Sequence, residues 1–232
     1  MERIFTFWEG PMPAYIELCI ETWHGPYKQT FLNYQNLHLF TDIGKATLEK
    51  LKDYTLPQIA DYIRVHVLRD NGGYWLDTDT IMLDGTLPET DMIGNSQSRT
   101  NTIGYLHTEK NSEMYQEWCK YQEKVLANPN SPHTWDIMGN TFTDNYVREH
   151  EEITIYPVAL AWAETYKIQG TTPRQEKYRQ FYFGCDYKLN ELLPTNMLML
   201  HNSWTPDWYK KLSHEQVLAD GCTMSNILRE LV

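Results

Sequence analysis

Between Thr55 and Asp79 the chain is committed to a helix, a stop and a strand that runs into paired carboxylates. Thr55 is placed to cap the helix, Gln58 stands three residues on as the other half of a capping box, and Pro57 falls in the first turn, where its missing N–H costs nothing. Ile59, Ile63 and Val67 then recur every four residues as a core stripe. Asn71-Gly72-Gly73 stops the helix, because glycine accepts the left-handed conformation at a helix end. Tyr74-Trp75-Leu76 reads as a buried strand leading into Asp77-Thr78-Asp79.

The flanking sequence extends this pattern. Arg3 to Trp8 reads as a first strand closed by Glu9-Gly10-Pro11, followed by a helix from Pro13 to about Trp23. Leu37 to Phe40 alternates like a short strand, and Gly44 to Lys52 suits a helix. Strand and helix in alternation predict an α/β fold with a parallel sheet and right-handed crossovers. Met114, Trp118, Tyr121 and Val125 mark a helix from Ser112 to Ala127, and His133 to Arg148 suits another. Late strands are expected at Ile153–Ile155 and Met197–Leu200, whereas Glu164 to Asn190 shows no clear period. With no repeat, low-complexity tract or Gly/Ser linker, the 232 residues are expected to form one domain.

Composition removes several function classes. A net charge of −11 argues against general nucleic-acid binding, which needs a basic surface to displace counterions. No apolar run approaches the roughly 18 residues that would span a bilayer. Met1-Glu2-Arg3 leads straight into a strand, so no secretory leader is expected. Cys19, Cys119, Cys185 and Cys222 are far apart, which suits buried thiols and a cytoplasmic protein. Aromatic residues reach 13%, with 8 Trp and 16 Tyr; such rings suit sugars and bases, and they also fill cores.

The chemistry concentrates at Asp77 and Asp79. If the strand continued, both side chains would point the same way, and a divalent cation is the usual remedy for their repulsion. The alternative is a water-exposed acidic turn with Thr78 and Thr80 as turn formers. Asp61 and Arg64 share a helix face. Spacing alone makes them a surface ion pair worth under about 1 kcal/mol. The functional reading sends Arg64 toward an anionic or hydroxylated ligand, with Asp61 accepting from sugar hydroxyls. His201 follows an apolar run and so stands at a strand end, where a lone histidine is more often structural than a ligand.

Taken together, Ala60-Asp61-Tyr62-Ile63-Arg64, Leu68 and Gly72 to Asp79 resemble the sugar-nucleotide-binding region of DXD glycosyltransferases. The nearest families are glycosyltransferase family 32 and the bacterial capsular polysaccharide transferases; the large clostridial glucosylating toxins are similar in the same segment. The resemblance extends to Phe7-Trp8-Glu9-Gly10 and to His201-Asn202-Ser203-Trp204. It implies a GT-A-like (Rossmann-like) α/β fold, a mixed sheet flanked by helices. Residues 1–110 would bind the nucleotide sugar, and 111–232 would supply the acceptor side and a closing metal and diphosphate segment.

The resemblance also implies roles. Asp79 would bind Mn²⁺ or Mg²⁺ directly, with His201 as a further ligand and Asp77 assisting. Asp77 would also meet the donor ribose or sugar. Asp61 and Arg64 would meet the donor sugar and its phosphate side, Trp8 would stack on uracil, Ser203 and Trp204 would support the phosphates, and Thr78 would be a further donor-binding residue. Asp77, Asp79 and Arg64 would thus carry the catalysis. Asp136 and Asn140 are acceptor candidates in the Trp135-to-Asn140 segment, where many relatives carry Gly-Pro and this chain has Gly139-Asn140; capping or exposure explains them equally well. The implied activity is retaining transfer of a hexose from UDP-galactose or UDP-glucose to a glycan or lipid-linked saccharide in polysaccharide assembly, by a cytoplasmic enzyme at or near the inner membrane face. Trp208-Tyr209-Lys210-Lys211 could serve peripheral membrane contact. Two rivals use the same residues: a non-catalytic nucleotide-sugar or metal-binding protein, and a phosphohydrolase of the haloacid-dehalogenase type. Against the second, Ile81 stands where that motif takes Thr or Val.

Overall fold

A computed structural model describes residues 2–95, 100–157, 167–170, 173–192 and 194–232. The chain begins with β1 (Arg3–Phe7), α1 (Ala14–Glu21), β2 (Lys28–Leu32), α2 (Lys45–Leu51) and α3 (Leu56–Asn71). It continues through β3 (Gly73–Leu76), β4 (Thr80–Met82), β5 (Met92–Asn95), β6 (Thr100–Thr108), α4 (Glu113–Ala127) and α5 (Asn140–Glu149). The last part holds β7 (Ile155–Pro157), α6 (Arg174–Gly184), β8 (Met197–Met199), α7 (Asp207–Lys210), α8 (His214–Ala219) and α9 (Thr223–Leu231).

Backbone contacts gather these elements into two compact units, neither of them continuous in sequence. The first comprises Met1–Glu9, Pro26–Asp77 and Glu89–Pro157; the second comprises Gly10–Gly25, Thr78–Pro88 and Val158–Val232. Residues 10–25 and 78–88 join the C-terminal segment in the second unit.

The first unit is built on a six-stranded mixed sheet of order β2-β1-β3-β6-β5-β7. β1 runs parallel to both β2 and β3, and β6 runs antiparallel to β3, with Trp75 opposite Leu106. The sheet is therefore mixed rather than all-parallel: β5 and β6, which pair antiparallel with each other, carry too little apolar alternation to announce themselves. Ile4 and Phe5 are both fully buried, as befits a central strand covered on both faces. α3 packs on this sheet and on α4, and Trp75, Trp118, Ile63 and Leu106 belong to one apolar core.

α3 has the expected capping box and Pro at its start, and ends at Gly72, whose φ is 68°. It is buried almost all round rather than on one stripe, since Gln58, Asp61, Arg64 and His66 are buried along with the apolar positions. Leu37–Leu39 forms a short 3-10 helix, not the expected strand. Asn33 Oδ1 accepts from the N–H groups of Gln35 and Asn36, and that local turn outcompetes extension. The strand beside β1 is β2 instead. Of the helix expected over His133–Arg148, only the part from Asn140 onward forms, and β7 begins at Ile155, two residues later than expected.

The second unit pairs β4 antiparallel with β8, Ile81 opposite Leu198. α6 packs on α9, and α1 on α8. Its core is aromatic: Tyr15, Tyr178, Phe181, Tyr182 and Tyr209 are fully buried, with the Tyr15 and Tyr209 rings 5.7 Å apart. All four cysteines are free thiols. Among the described residues, no helix is long and apolar enough to cross a membrane.

Candidate functional site

The first unit brings three of the expected residues together. Arg64, on the sheet side of α3, is only 4% exposed. Its Nη2 lies 2.9 Å from Asp61 Oδ1 and 3.1 Å from Asp77 Oδ1, and its Nη1 donates to the Ile103 carbonyl of β6. The guanidinium also stands over the Trp75 ring, 5.1 Å from its centroid. Spacing alone suggests a surface pair, but this one is buried at the end of β3. Trp75 Nε1 donates to Asp77 Oδ1 at 2.9 Å, so that oxygen is fixed by two donors. β3 ends at Leu76 and the chain turns at 78–79, so the period-two argument for Asp77 and Asp79 does not apply. Nor is this an exposed turn, because Thr78 and Thr80 are buried.

Asp61 is 6% exposed. Burial pushes its carboxyl up to about 7; Arg64 pulls it down, and the Asp77 and Asp136 charges push it up further. Gln122 of α4 braces this corner, its Nε2 donating to the carbonyls of Asp61 and Met138 at 3.0 and 2.7 Å. Gly139 sits so close that a Cβ there would come within 3.3 Å of Asp61 Oδ2. Asp136 is partly buried, and its carbonyl accepts from the N–H of Gly139. Asn140 opens α5 and spends its amide on the Asn101 carbonyl at 2.8 Å, a structural tie to β6. Trp135, beside Asp136, is 75% exposed. Trp8 follows β1 and is partly exposed, its N–H bonded to the Leu32 carbonyl.

The second unit organises Asp79. Its carbonyl accepts from the Leu200 N–H at 3.0 Å, and its Oδ2 from the Asn202 N–H at 2.7 Å. The residues on either side of His201 are thus both held by Asp79. Tyr15 donates its hydroxyl to Asn202 Oδ1; burial and the Asp79 charge raise that phenol far above its usual range. The His201 N–H donates to the Tyr178 hydroxyl at 3.2 Å, and the Trp204 and His201 rings lie 4.1 Å apart. Arg179 Nε donates to the Trp204 carbonyl at 2.9 Å, and Ser203 is exposed. Tyr15, Tyr178, Arg179 and Gln122 were not singled out from sequence. The two on α6 lie in the stretch without a period, and Tyr15 and Gln122 look like ordinary helix positions.

Among the described residues, no group of three or more His, Cys, Asp or Glu is gathered closely enough to hold a metal ion. Asp79 and His201 supply one carboxylate and one imidazole within a hydrogen-bonded turn. A cation held by those two alone would have to take its remaining positions from waters and ligand phosphate oxygens.

Comparison with known proteins adds the family. No curated protein matches the chain. Among solved structures it is similar to one titled PaToxG Glycosyltransferase, at 16% identity over 77% of this chain and 84% of that one, with a TM-score of 0.42. Residues 1–192 match the family described as "Capsular polysaccharide synthesis protein", a span that takes in Trp8, Asp61, Arg64, Asp77, Asp79, Asp136 and Asn140. The chain therefore belongs to the capsular polysaccharide synthesis protein family.

Proposed function

We propose that the protein is a glycosyltransferase that moves a hexose, galactose or glucose, from a UDP-sugar to a saccharide acceptor in capsule assembly, with retention at the anomeric carbon. The observation that carries this reading is the buried Asp61–Arg64–Asp77 cluster at the end of β3. A guanidinium shared by two carboxylates, with Asp77 Oδ2 left for a ligand, suits recognition of sugar hydroxyls and fixes Arg64 against the end of the strand. Membership of a capsule-synthesis family supplies the saccharide context.

In this reading Asp79 and His201 hold Mn²⁺ or Mg²⁺, with Asp77 assisting. A bound cation would supply Lewis-acid stabilisation of the charge left on the departing diphosphate. Trp8 stacks on the uracil, Asp61 and Asp77 orient the donor sugar, and Arg64, held between those two carboxylates, fixes them on the sugar and phosphate side of the donor. Ser203 and Trp204 line the diphosphate, Thr78 belongs to the donor site, and Asp136 and Asn140 stand on the acceptor side. No side chain is assigned as a base or nucleophile.

The test is release of UDP from a panel of UDP-sugars, with and without Mn²⁺, using Asp79→Ala as control. Metal-dependent release from one sugar, lost in the variant, supports the transferase and names the donor. Tight donor binding without release, even with saccharide acceptors present, would favour a non-catalytic binding protein. Neither binding nor release from any nucleotide sugar would overturn the reading.

A further inference from the structure

Arg179 is paired differently from Arg64 and Arg69. Arg64 is neutralised by Asp61 and Asp77, and Arg69 by Asp42 and Asp70. Arg179 is partly buried on α6, and its one hydrogen bond among the described residues runs from Nε to the Trp204 carbonyl. No carboxylate there pairs with it, although the chain carries 31 acidic residues against 20 basic ones. A partly exposed guanidinium that donates one N–H to the protein keeps its terminal donors for water or a ligand.

Its location says which ligand. The bond to Trp204 fixes the guanidinium against the 201–204 turn, the same turn that Asp79 holds through Asn202. Neighbouring Tyr178 braces that turn as well, accepting from the His201 N–H and packing its ring 5.5 Å from Trp204. With Nε engaged, the two terminal NH₂ groups keep the paired donors that match a phosphate. We propose that Arg179 is a binding residue for the diphosphate of the donor, reaching it beside the 201–204 turn. The proposal rests on the nucleotide-sugar reading above.

The rival explanation is that Arg179 only caps the Trp204 carbonyl, and two substitutions separate them. Arg179→Gln keeps an amide donor for that carbonyl and removes the charge; Arg179→Lys keeps the charge. Titration calorimetry with UDP, and separately with uridine, in the presence of Mn²⁺ reads the outcome, with circular dichroism confirming that each variant is folded. Arg179→Gln is expected to weaken UDP binding by about tenfold or more, as for loss of a charge-assisted phosphate contact. Uridine binding should be unchanged, and Arg179→Lys should lose less than Arg179→Gln. Wild-type-like UDP binding by Arg179→Gln would overturn the proposal while leaving the donor reading intact. Equal losses in both variants, extending to uridine, would mark a structural cap and overturn it too. Failure of the wild-type protein to bind UDP would instead bring down the donor reading, and the role of Arg179 with it.

Discussion

Arg64 Nη2 and Asp77 Oδ1 meet at 3.1 Å, joining the middle of α3 to the last residue before the turn that leads to Asp79. The same nitrogen holds buried Asp61 at 2.9 Å, so Arg64→Met strands a carboxylate in the interior. Breaking a buried pair from one side costs on the order of 3–5 kcal/mol. Asp61 can escape that cost by taking a proton, which its raised pKa of about 7 already favours. A carboxyl raised in the folded state contributes stability that is full below its unfolded pKa and is lost as pH rises through the folded one. Urea unfolding should therefore show a larger penalty for Arg64→Met at pH 8 than at pH 5. Equal penalties at both would contradict this account of Asp61.

His66 gives the opposite slope. It is buried on α3, stacked on Tyr62 with ring centroids 4.2 Å apart, and neither ring nitrogen has a hydrogen-bond partner among the described residues. Burial, with help from the Arg69 charge, lowers its pKa to about 4, while Asp70 and Asp42 act the other way. Its neutral form thus stabilises the fold above pH 6.5, and that contribution is lost as pH falls toward 4. The loss amounts to about 3 kcal/mol at most. His66→Phe should flatten stability over this window, as measured by denaturant midpoints at pH 4.5 and 7.5; an unchanged acid slope would show that other groups set it.

Gly139 tests the packing around Asp61. A Cβ there would meet Ile103 Cδ1 at 2.2 Å and Asp61 Oδ2 at 3.3 Å. Gly139→Ala should cost about 1–3 kcal/mol by overpacking. Shortening the partner with Ile103→Val in the same chain should recover most of it, because the closest clash is with the methyl that valine lacks. Additive losses in thermal unfolding would locate the strain elsewhere.

Asn202 links Tyr15 to Asp79, accepting from the Tyr15 hydroxyl and donating its N–H to Asp79 Oδ2. Tyr15→Phe leaves the buried ring in place and removes the donor to Asn202 Oδ1, for a loss of about 1–2 kcal/mol. If the turn is what aims Asp79, the Mn²⁺ concentration needed for half-maximal UDP release should also rise. A stability loss without that rise would confine Tyr15 to folding.

The parts of the fold that sequence reveals are those whose signals are local. The Thr55–Gln58 box, the Gly72 stop and the apolar run at Tyr74–Leu76 all act within a few residues of their effect, and all three stand in the structure. β6 is different: Asn101, Thr102 and His107 give it a mixed face, and it exists because β3 and β5 flank it. Leu37–Phe40 alternates correctly and still coils, since Asn33 and Asn36 offer the backbone nearer partners. The same division holds at the candidate site. Asp61, Arg64 and Asp77 can be named from one stretch of sequence, but that Arg64 is buried against Ile103 depends on a strand from elsewhere. Arg179 and Tyr178 gain their place only because α6 packs beside a turn that follows them.

The interleaving of the two units has a consequence in time. Asp79 and Asn202, bonded in the finished protein, are 123 residues apart. At roughly 5–20 residues per second of synthesis, the aspartate leaves the ribosome about 6–25 s before its partner exists. β4 waits equally long for β8, with its strand edge and apolar Ile81 and Met82 uncovered by that neighbour. On a growing chain, the sheet of the first unit can be complete by Pro157, while the segment that carries Asp79 is still a loose end and a target for proteases and chaperones. Birth order thus delays the Asp79–Asn202 contact until the last stretch of the chain has begun to emerge.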